Sequence, residues 1–180
     1  MKKKILTIAF LALFALPARA GTIGDFFGRA FENAKYALSC GNNDLYVPVR
    51  IWHNRLFYDQ EHIDKYNEEP WGIGFGRSFW EGNEWHGVYA MAFKDSNFYL
   101  ETIAGYAYLY NWDLDNSGDW KVGVGYTLSL TQREEYMYIP VPLPLPIASL
   151  TYQRLSLQAA YIPGVKNDGN VLFAWLKWTF

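Results

Sequence analysis

From residue 44 to its end the chain alternates apolar residues with small or polar ones, and this period of two constrains its fold more than any other feature. The clearest stretch is 120–130, where Trp120, Val122, Val124, Tyr126, Leu128 and Leu130 share one face and Lys121, Gly123, Gly125, Thr127 and Ser129 the other. Residues 155–161 repeat it, with Leu155, Leu157, Ala159 and Tyr161 against Ser156, Gln158 and Ala160. The last stretch, 171–180, sets Leu172, Ala174, Leu176, Trp178 and the terminal Phe180 on the apolar side. An apolar outer face over a small or polar inner face is the pattern of a barrel solvated by lipid; a soluble ligand-binding barrel carries the reverse. Such segments fall near 44–54, 70–80, 84–95, 100–112, 119–131, 145–152, 155–162 and 170–180, an even number, as membrane barrels require. The expected fold is all-β: an eight-stranded antiparallel transmembrane β-barrel preceded by an N-terminal amphipathic α-helix.

The region ahead of the barrel divides in two. Lys2, Lys3 and Lys4, the apolar run Ile5 to Leu16 and the small-x-small triplet Ala18-Arg19-Ala20 form a signal peptide over 1–20. The apolar run is shorter than the ~20 residues a membrane-spanning helix needs. Residues 21–43 are read as a periplasmic amphipathic helix and linker, and 44–180 as the barrel. Over 22–38, Ile23, Phe26, Phe27, Ala30, Phe31, Ala34, Ala37 and Leu38 recur at three- and four-residue spacing. That pattern suits a helix in the membrane interface or one packed on protein equally well. Loss of the signal removes four basic residues and no acidic ones, leaving 12 basic against 18 acidic and a net charge of −6 instead of −2. Such a balance argues against a nucleic-acid partner. Cys40 is the only cysteine, so no intrachain disulfide forms, and the residues before it lack the apolar segment of a lipid-modified cysteine. No second apolar run is long enough for a membrane helix, and without one a chain spans a bilayer only as a closed barrel.

With the helix in the periplasm, the connections 55–69, 96–99, 132–144 and 163–169 face the exterior, and the others are short turns. Trp71, Trp80, Trp85, Trp112, Trp120 and Trp178 fall near strand ends, where an aromatic girdle belongs. Gly72, Gly74 and Gly76 share one face of the second strand, and Gly123 and Gly125 one face of the fifth. These glycines either leave room inside or permit tight strand coiling. Tyr89, Met91 and Phe93, with Ile103, Gly105, Ala107 and Leu109, read as an inward apolar wall suited to a hydrocarbon chain. Pro140, Pro142, Pro144 and Pro146 precede the sixth strand, and Pro48, Pro70 and Pro163 sit near strand ends at the outer rim. Proline cannot donate to a ladder, so these positions either end strands or open gaps between them.

Few polar residues are placed for chemistry. His53 ends the first strand and Asp95-Ser96 the third, so the topology carries all three to the exterior rim. A histidine near a hydroxyl and a carboxylate can do general-base or nucleophilic work. His62 and His86 are competing histidines. There is no GxSxG elbow, no HExxH and no Cys/His metal spacing.

Several stretches resemble the PagP family of lipid A palmitoyltransferases. They are Asp44-Leu-Tyr-Val-Pro-Val-Arg-Ile-Trp-His53, Lys65-Tyr-Asn-Glu-Glu-Pro-Trp-Gly-Ile-Gly-Phe-Gly76, Trp85-His-Gly-Val-Tyr-Ala-Met-Ala-Phe-Lys-Asp-Ser96, and Tyr161-Ile-Pro-Gly164 with Gly169-Asn170. The resemblance implies an outer-membrane enzyme that moves a palmitoyl chain from the sn-1 position of a glycerophospholipid to a hydroxyacyl chain of lipid A. It implies His53, Asp95 and Ser96 as the catalytic residues and an active site facing the exterior. His53 is then the base, Asp95 orients or balances it, and Ser96 is a nucleophile or an oxyanion donor. The family's two lateral lipid gates correspond to Pro48 with Pro70 and Pro146 with Pro163. The acyl pocket corresponds to Tyr89, Met91, Phe93, Gly105 and Ala107. At the last position the family usually carries glycine, so a chain slightly shorter than palmitate, or differently shaped, is the expected preference. The implied partners are membrane lipids, with no nucleic acid, metal or organic cofactor, and a monomer or weak homodimer is expected. The alternatives are a phospholipase using the same site and a non-enzymatic structural or adhesive barrel.

Overall fold

The computed structural model describes residues 22–180, and the expected signal peptide lies outside them. Helix α1 (Ile23–Cys40) leads into strands β1 (Asn42–His53), β2 (Gly72–Glu81), β3 (Glu84–Lys94), β4 (Leu100–Asp113), β5 (Trp120–Gln132), β6 (Val141–Tyr152), β7 (Leu155–Ile162) and β8 (Val171–Thr179). Each strand pairs antiparallel with the next, and β8 returns to β1, so the sheet closes without a free edge.

The alternation holds around the wall. Thr127, Ser129 and Thr131 are buried inside β5, while Val124 and Leu130 are exposed outside it. Ile73, Phe75, Leu157 and Leu176 continue the exposed apolar belt on other strands. Trp85, expected in the outer girdle, is instead one of the most buried side chains. Its parity on β3 is that of Tyr89, Met91 and Phe93, so it points inward, and strand phase overrides nearness to a strand end. The glycines of β2 also point inward, but their space is taken. A Cβ on Gly74 or Gly72 would run into Met91 or Phe93, and one on Gly76 would meet Tyr46 Cε2 at 2.9 Å. Large residues of the neighbouring strands lean over these positions.

The interior changes character along the barrel axis. Toward the end where β1 and β3 finish it is apolar, with Ile51, Met91, Phe93, Ile103, Leu145 and Phe173. Toward the other end it is a polar network. Lys177 Nζ lies 3.3 Å from Asp44 Oδ1 and 5.3 Å over the Trp85 ring, and the Thr179 hydroxyl donates to the same carboxylate at 2.6 Å. Thr151 and Ser156 share a 2.6 Å hydrogen bond, and Trp175 Nε1 donates to Gln158 at 3.0 Å.

Backbone pairing is incomplete at two places. The sixth strand starts at Val141, not at 145 as expected, and Pro142, Pro144 and Pro146 lie inside it opposite Leu130, Leu128 and Tyr126. Alternate residues of a strand turn their N–H to the same edge, so these three prolines all withhold a donor on the edge away from β5. Pairing with β7 on that edge begins only at Ile147↔Ala160, so the prolines cost the barrel no ladder bond. The second break is between β1 and β2, whose register runs only from Asn42↔Ser78 to Tyr46↔Gly74. Beyond it the connection 54–71 stands in for β2. Ile51 N–H donates to the Glu68 carbonyl at 3.0 Å, and Lys94 N–H to the Trp71 carbonyl at 3.0 Å.

Thr22 caps α1 through a capping box with Asp25. The helix lies against the outside of β2 and β3 and buries Ala30 and Ala37, while Ile23, Phe27, Phe31 and Leu38 stay exposed. The helix thus packs on protein along one face and leaves an apolar face exposed. Arg77 of β2 clamps its C-terminus by donating to the Gly41 carbonyl at 2.6 and 3.0 Å and to the Leu38 carbonyl. Because α1 adds no strand pairing, deleting residues 22–38 should leave a barrel with normal heat-modifiable mobility and a lower thermal midpoint. Failure of the deletion variant to fold would make the helix part of the barrel's core.

Candidate active site

Long connections gather at the rim where β1, β3, β5 and β7 end. The connection 54–71 reaches 163–170 through several bonds. The Tyr58 hydroxyl donates to the Gly169 carbonyl at 2.7 Å, Asn167 N–H to the Phe57 carbonyl at 2.9 Å, and Lys166 pairs with Asp59 at 3.1 Å. It also reaches the turn after β3, where Asn67 N–H donates to the Ser96 carbonyl at 2.8 Å and Asn67 Nδ2 to the Asp95 carbonyl at 3.2 Å.

His53 occupies the last position of β1 with inward phase and is 2 % exposed. Its ring stacks on Tyr66 at 4.6 Å and meets Tyr58 edge-on at 5.0 Å. Nδ1 lies 3.1 Å from Glu68 Oε1, and the same oxygen accepts the His53 backbone N–H at 3.2 Å. Glu68 is itself held by Arg55 at 2.5 and 2.7 Å and by Arg50 at 2.7 Å. The Arg55 hydrogen bonds, followed by those from His53, hold the Glu68 carboxyl down at about 2.

Asp95 is buried just past β3. Its Oδ1 accepts the backbone N–H of Asn97 at 2.8 Å and of Tyr99 at 2.9 Å, and Oδ2 lies 3.4 Å from Arg133 Nη2. Arg133 comes from the connection after β5 and also reaches Glu101 at 3.4 Å. Ser96 follows, half-buried. The carboxylate on the imidazole is thus that of Glu68, while Asp95 shapes its own turn and meets Arg133. His53 and the Asp95-Ser96 turn share the rim and are tied together through residues 67–68. The other histidines lie elsewhere. His62 is in a helical turn, Gln60–Ile63, of the long connection. His86 is on the outer face of β3, 2.6 Å from the Tyr106 hydroxyl.

Sequence reasoning missed Glu68, Asn67 and Arg133. All three lie in connections, where no periodicity marks which way a side chain points. The only signal was that Asn67 and Glu68 fall inside the stretch 65–76 quoted for the family resemblance.

Below the rim, Phe93, Met91 and Tyr89 descend β3, and Ile103, Gly105 and Ala107 descend β4 opposite Met91, Tyr89 and Gly87. Tyr89 is anchored by a 2.7 Å hydrogen bond to Thr127. The Pro48/Pro70 and Pro146/Pro163 positions flank the two breaks in the ladder.

A closed barrel with an apolar upper interior beneath a buried, carboxylate-paired histidine provides a base within reach of a hydrophobic compartment. The chain is a member of the family described as "Antimicrobial peptide resistance and lipid A acylation protein PagP", whose model matches residues 34–177. Its relatives include the lipid A acyltransferase PagP of Yersinia pseudotuberculosis, 50% identical over 158 residues, or 87% of this chain and 78% of that one. The lipid A acyltransferase PagP of Dickeya chrysanthemi is 49% identical over 95% of this chain and 89% of its own. That of Photorhabdus laumondii is 54% identical over 82% and 72%. The chain is accordingly an acyltransferase.

The carboxyl of Glu68 sits below its ordinary 4.5 in the folded rim, at about 2. A depressed carboxylate contributes stability that is complete above the unfolded value and is lost as pH falls through the folded one. Hydrogen exchange of residues 54–69 should therefore be slow down to about pH 4.5 and accelerate between about 4.5 and 2. A Glu68→Ala variant should exchange faster at neutral pH and lose that dependence. A wild-type exchange rate that, corrected for intrinsic chemistry, does not change across this window would contradict the clamp.

Proposed function

We propose that the protein transfers a palmitoyl or similar chain from the sn-1 position of a glycerophospholipid to a hydroxyacyl chain of lipid A, at the exterior face of a Gram-negative outer membrane. The observation that carries this reading is the burial of His53 on the same rim as the Asp95-Ser96 turn, to which Asn67-Glu68 tie it, at the apolar end of the interior. The exposed apolar belt supports the membrane setting. The short turns and α1 at one end, and the long connections at the other, support an outward-facing site. On this reading 21–43 is the periplasmic helix and linker and 44–180 the spanning barrel. The breaks flanked by Pro48 with Pro70 and by Pro146 with Pro163 are the lateral gates, the places where a lipid chain enters with the fewest backbone hydrogen bonds to break.

The donor's sn-1 chain lies along Tyr89, Met91, Phe93, Gly105 and Ala107, which brings its ester carbonyl to the rim. His53 Nε2 takes the proton from the lipid A hydroxyl as its oxygen attacks that carbonyl. The tetrahedral oxyanion is stabilised by hydrogen-bond donation from Ser96. Asp95 fixes the turn that carries Ser96. Collapse breaks the bond to the glycerol oxygen, which takes the proton from the imidazolium, leaving acylated lipid A and a lysophospholipid.

Purified protein given labelled phospholipid with and without lipid A should move label to lipid A, with the barrel still folded and transfer abolished in His53→Ala and Ser96→Ala. Full transfer in either variant overturns the site assignment. Label released mainly as free fatty acid in the presence of lipid A would make the protein a phospholipase.

Ala107 sets a second expectation. It is buried level with Gly87, and a Cβ there would meet Trp85 Cζ2 at 2.6 Å, so the indole and the Ala107 methyl close the chain's path together. The methyl shortens that path by about one methylene, a mismatch worth roughly 1–3 kcal/mol. In competition among saturated donors of fourteen to seventeen carbons, Ala107→Gly should shift the preference toward the longer chain. An unchanged preference would remove Ala107 from the floor.

A further inference from the structure

We propose that Glu68 is the positioning residue of the reaction: its carboxylate fixes the tautomer of His53 and balances the imidazolium, and Asn67-Glu68 together assemble the site. This rests on the acyl-transfer reading above and deepens it. An imidazole serves as a base through one nitrogen only when the other carries the proton, and the partner of that other nitrogen decides which is which. Here Oε1 of Glu68 is 3.1 Å from Nδ1. An ionised carboxylate only accepts, so Nδ1 carries the hydrogen and Nε2 is left with its lone pair. When Nε2 takes the acceptor's proton, the ring becomes a cation in a buried place between Tyr66 and Tyr58. The charged groups acting on it there are Glu68, Arg55 and Arg133. Glu68 alone among them favours the cation.

The carboxylate is preorganised for this task. Both its oxygens are engaged, Oε1 by Arg55, the His53 ring and the His53 backbone, and Oε2 by Arg55 and Arg50. It therefore stays ionised and does not reorient as charge develops on the imidazole. The preceding residue does the complementary job. Asn67 holds the Ser96 and Asp95 carbonyls while the Glu68 carbonyl accepts from Ile51 N–H. This two-residue segment bridges β1 and the β3 turn at the height where β1 and β2 no longer pair. Asp95, the carboxylate named by the family resemblance, is engaged by its own turn and by Arg133, which leaves the orienting role to Glu68.

The test is transfer kinetics across pH in wild type, Glu68→Gln, Glu68→Asp, Arg50→Ala and His53→Ala. Glu68→Gln keeps the shape and removes the charge. It should lower kcat by roughly a hundredfold with little change in KM, and should move the acidic limb of the kcat profile to lower pH, because the imidazolium loses its counter-charge. Glu68→Asp should restore part of the rate and return the limb toward its wild-type position. Arg50→Ala removes an ion pair from Glu68 without touching the imidazole and should keep the limb where wild type has it. If Glu68 serves only to clamp the loop, Arg50→Ala will reproduce the loss and neither variant will move the limb, which overturns the proposal. Wild-type kinetics in Glu68→Gln alongside a dead His53→Ala overturns it too, and leaves the acyl-transfer reading standing. An active His53→Ala overturns that reading itself.

Discussion

Closure of the backbone ladder is the constraint on which everything else in this barrel depends. In the membrane setting proposed above an unpaired N–H or C=O is costly, so the wall has to pair nearly all of them. This wall does so around most of its circumference and relaxes at two places near one rim. At β6 it does so chemically, by putting prolines where donors would be left unpaired. At β1 it does so by substitution, letting the connection 54–71 supply the partners that β2 no longer offers. The same connection holds the only histidine of the rim that ends a strand. The break in the ladder and the assembly of the site are therefore one structural event.

The division of the interior follows from the same economy. The end nearer α1 is filled with hydrogen-bonded polar groups around a buried Lys177–Asp44 pair. A pair of this kind is weak evidence of net stability, since desolvation offsets much of the attraction. Its partners are well satisfied on the Oδ1 side, and it marks where the apolar column stops. Above it Trp85, turned inward and resting against Gly87, gives that column a rigid base. On the proposed function, this apolar half between Trp85 and the rim holds one chain end-on with its head at His53.

The strands were legible because alternation is imposed on every residue of a two-faced wall. Their inward and outward sets, down to Ala107 and Leu109, follow from it. The start of β6 was not legible. Its alternate prolines read as a strand-breaking cluster until the missing partner on the β7 edge is known, and that is a tertiary fact. Trp85 was misplaced for a related reason, since position near a strand end predicts a girdle only when phase allows it. His53, Asp95 and Ser96 could be put on one rim by counting strands. Glu68 could not, because it lies fifteen positions beyond the histidine it holds, in a connection, and connections carry no phase. The helix kept two readings because it uses two faces, a narrow alanine seam on the barrel and an exposed aromatic one.

On the proposed function a lipid's acyl chain is held inside this barrel with its ester at the His53 rim. A phospholipid bearing a photoreactive diazirine at the far end of its sn-1 chain tests this in the His53→Ala variant, which should leave the donor intact. After irradiation and peptide mapping, adducts should appear on Met91, Ile103, Ala107 or Trp85. Adducts confined to outward residues such as Phe75, Leu130 and Leu150 would contradict that placement of the chain.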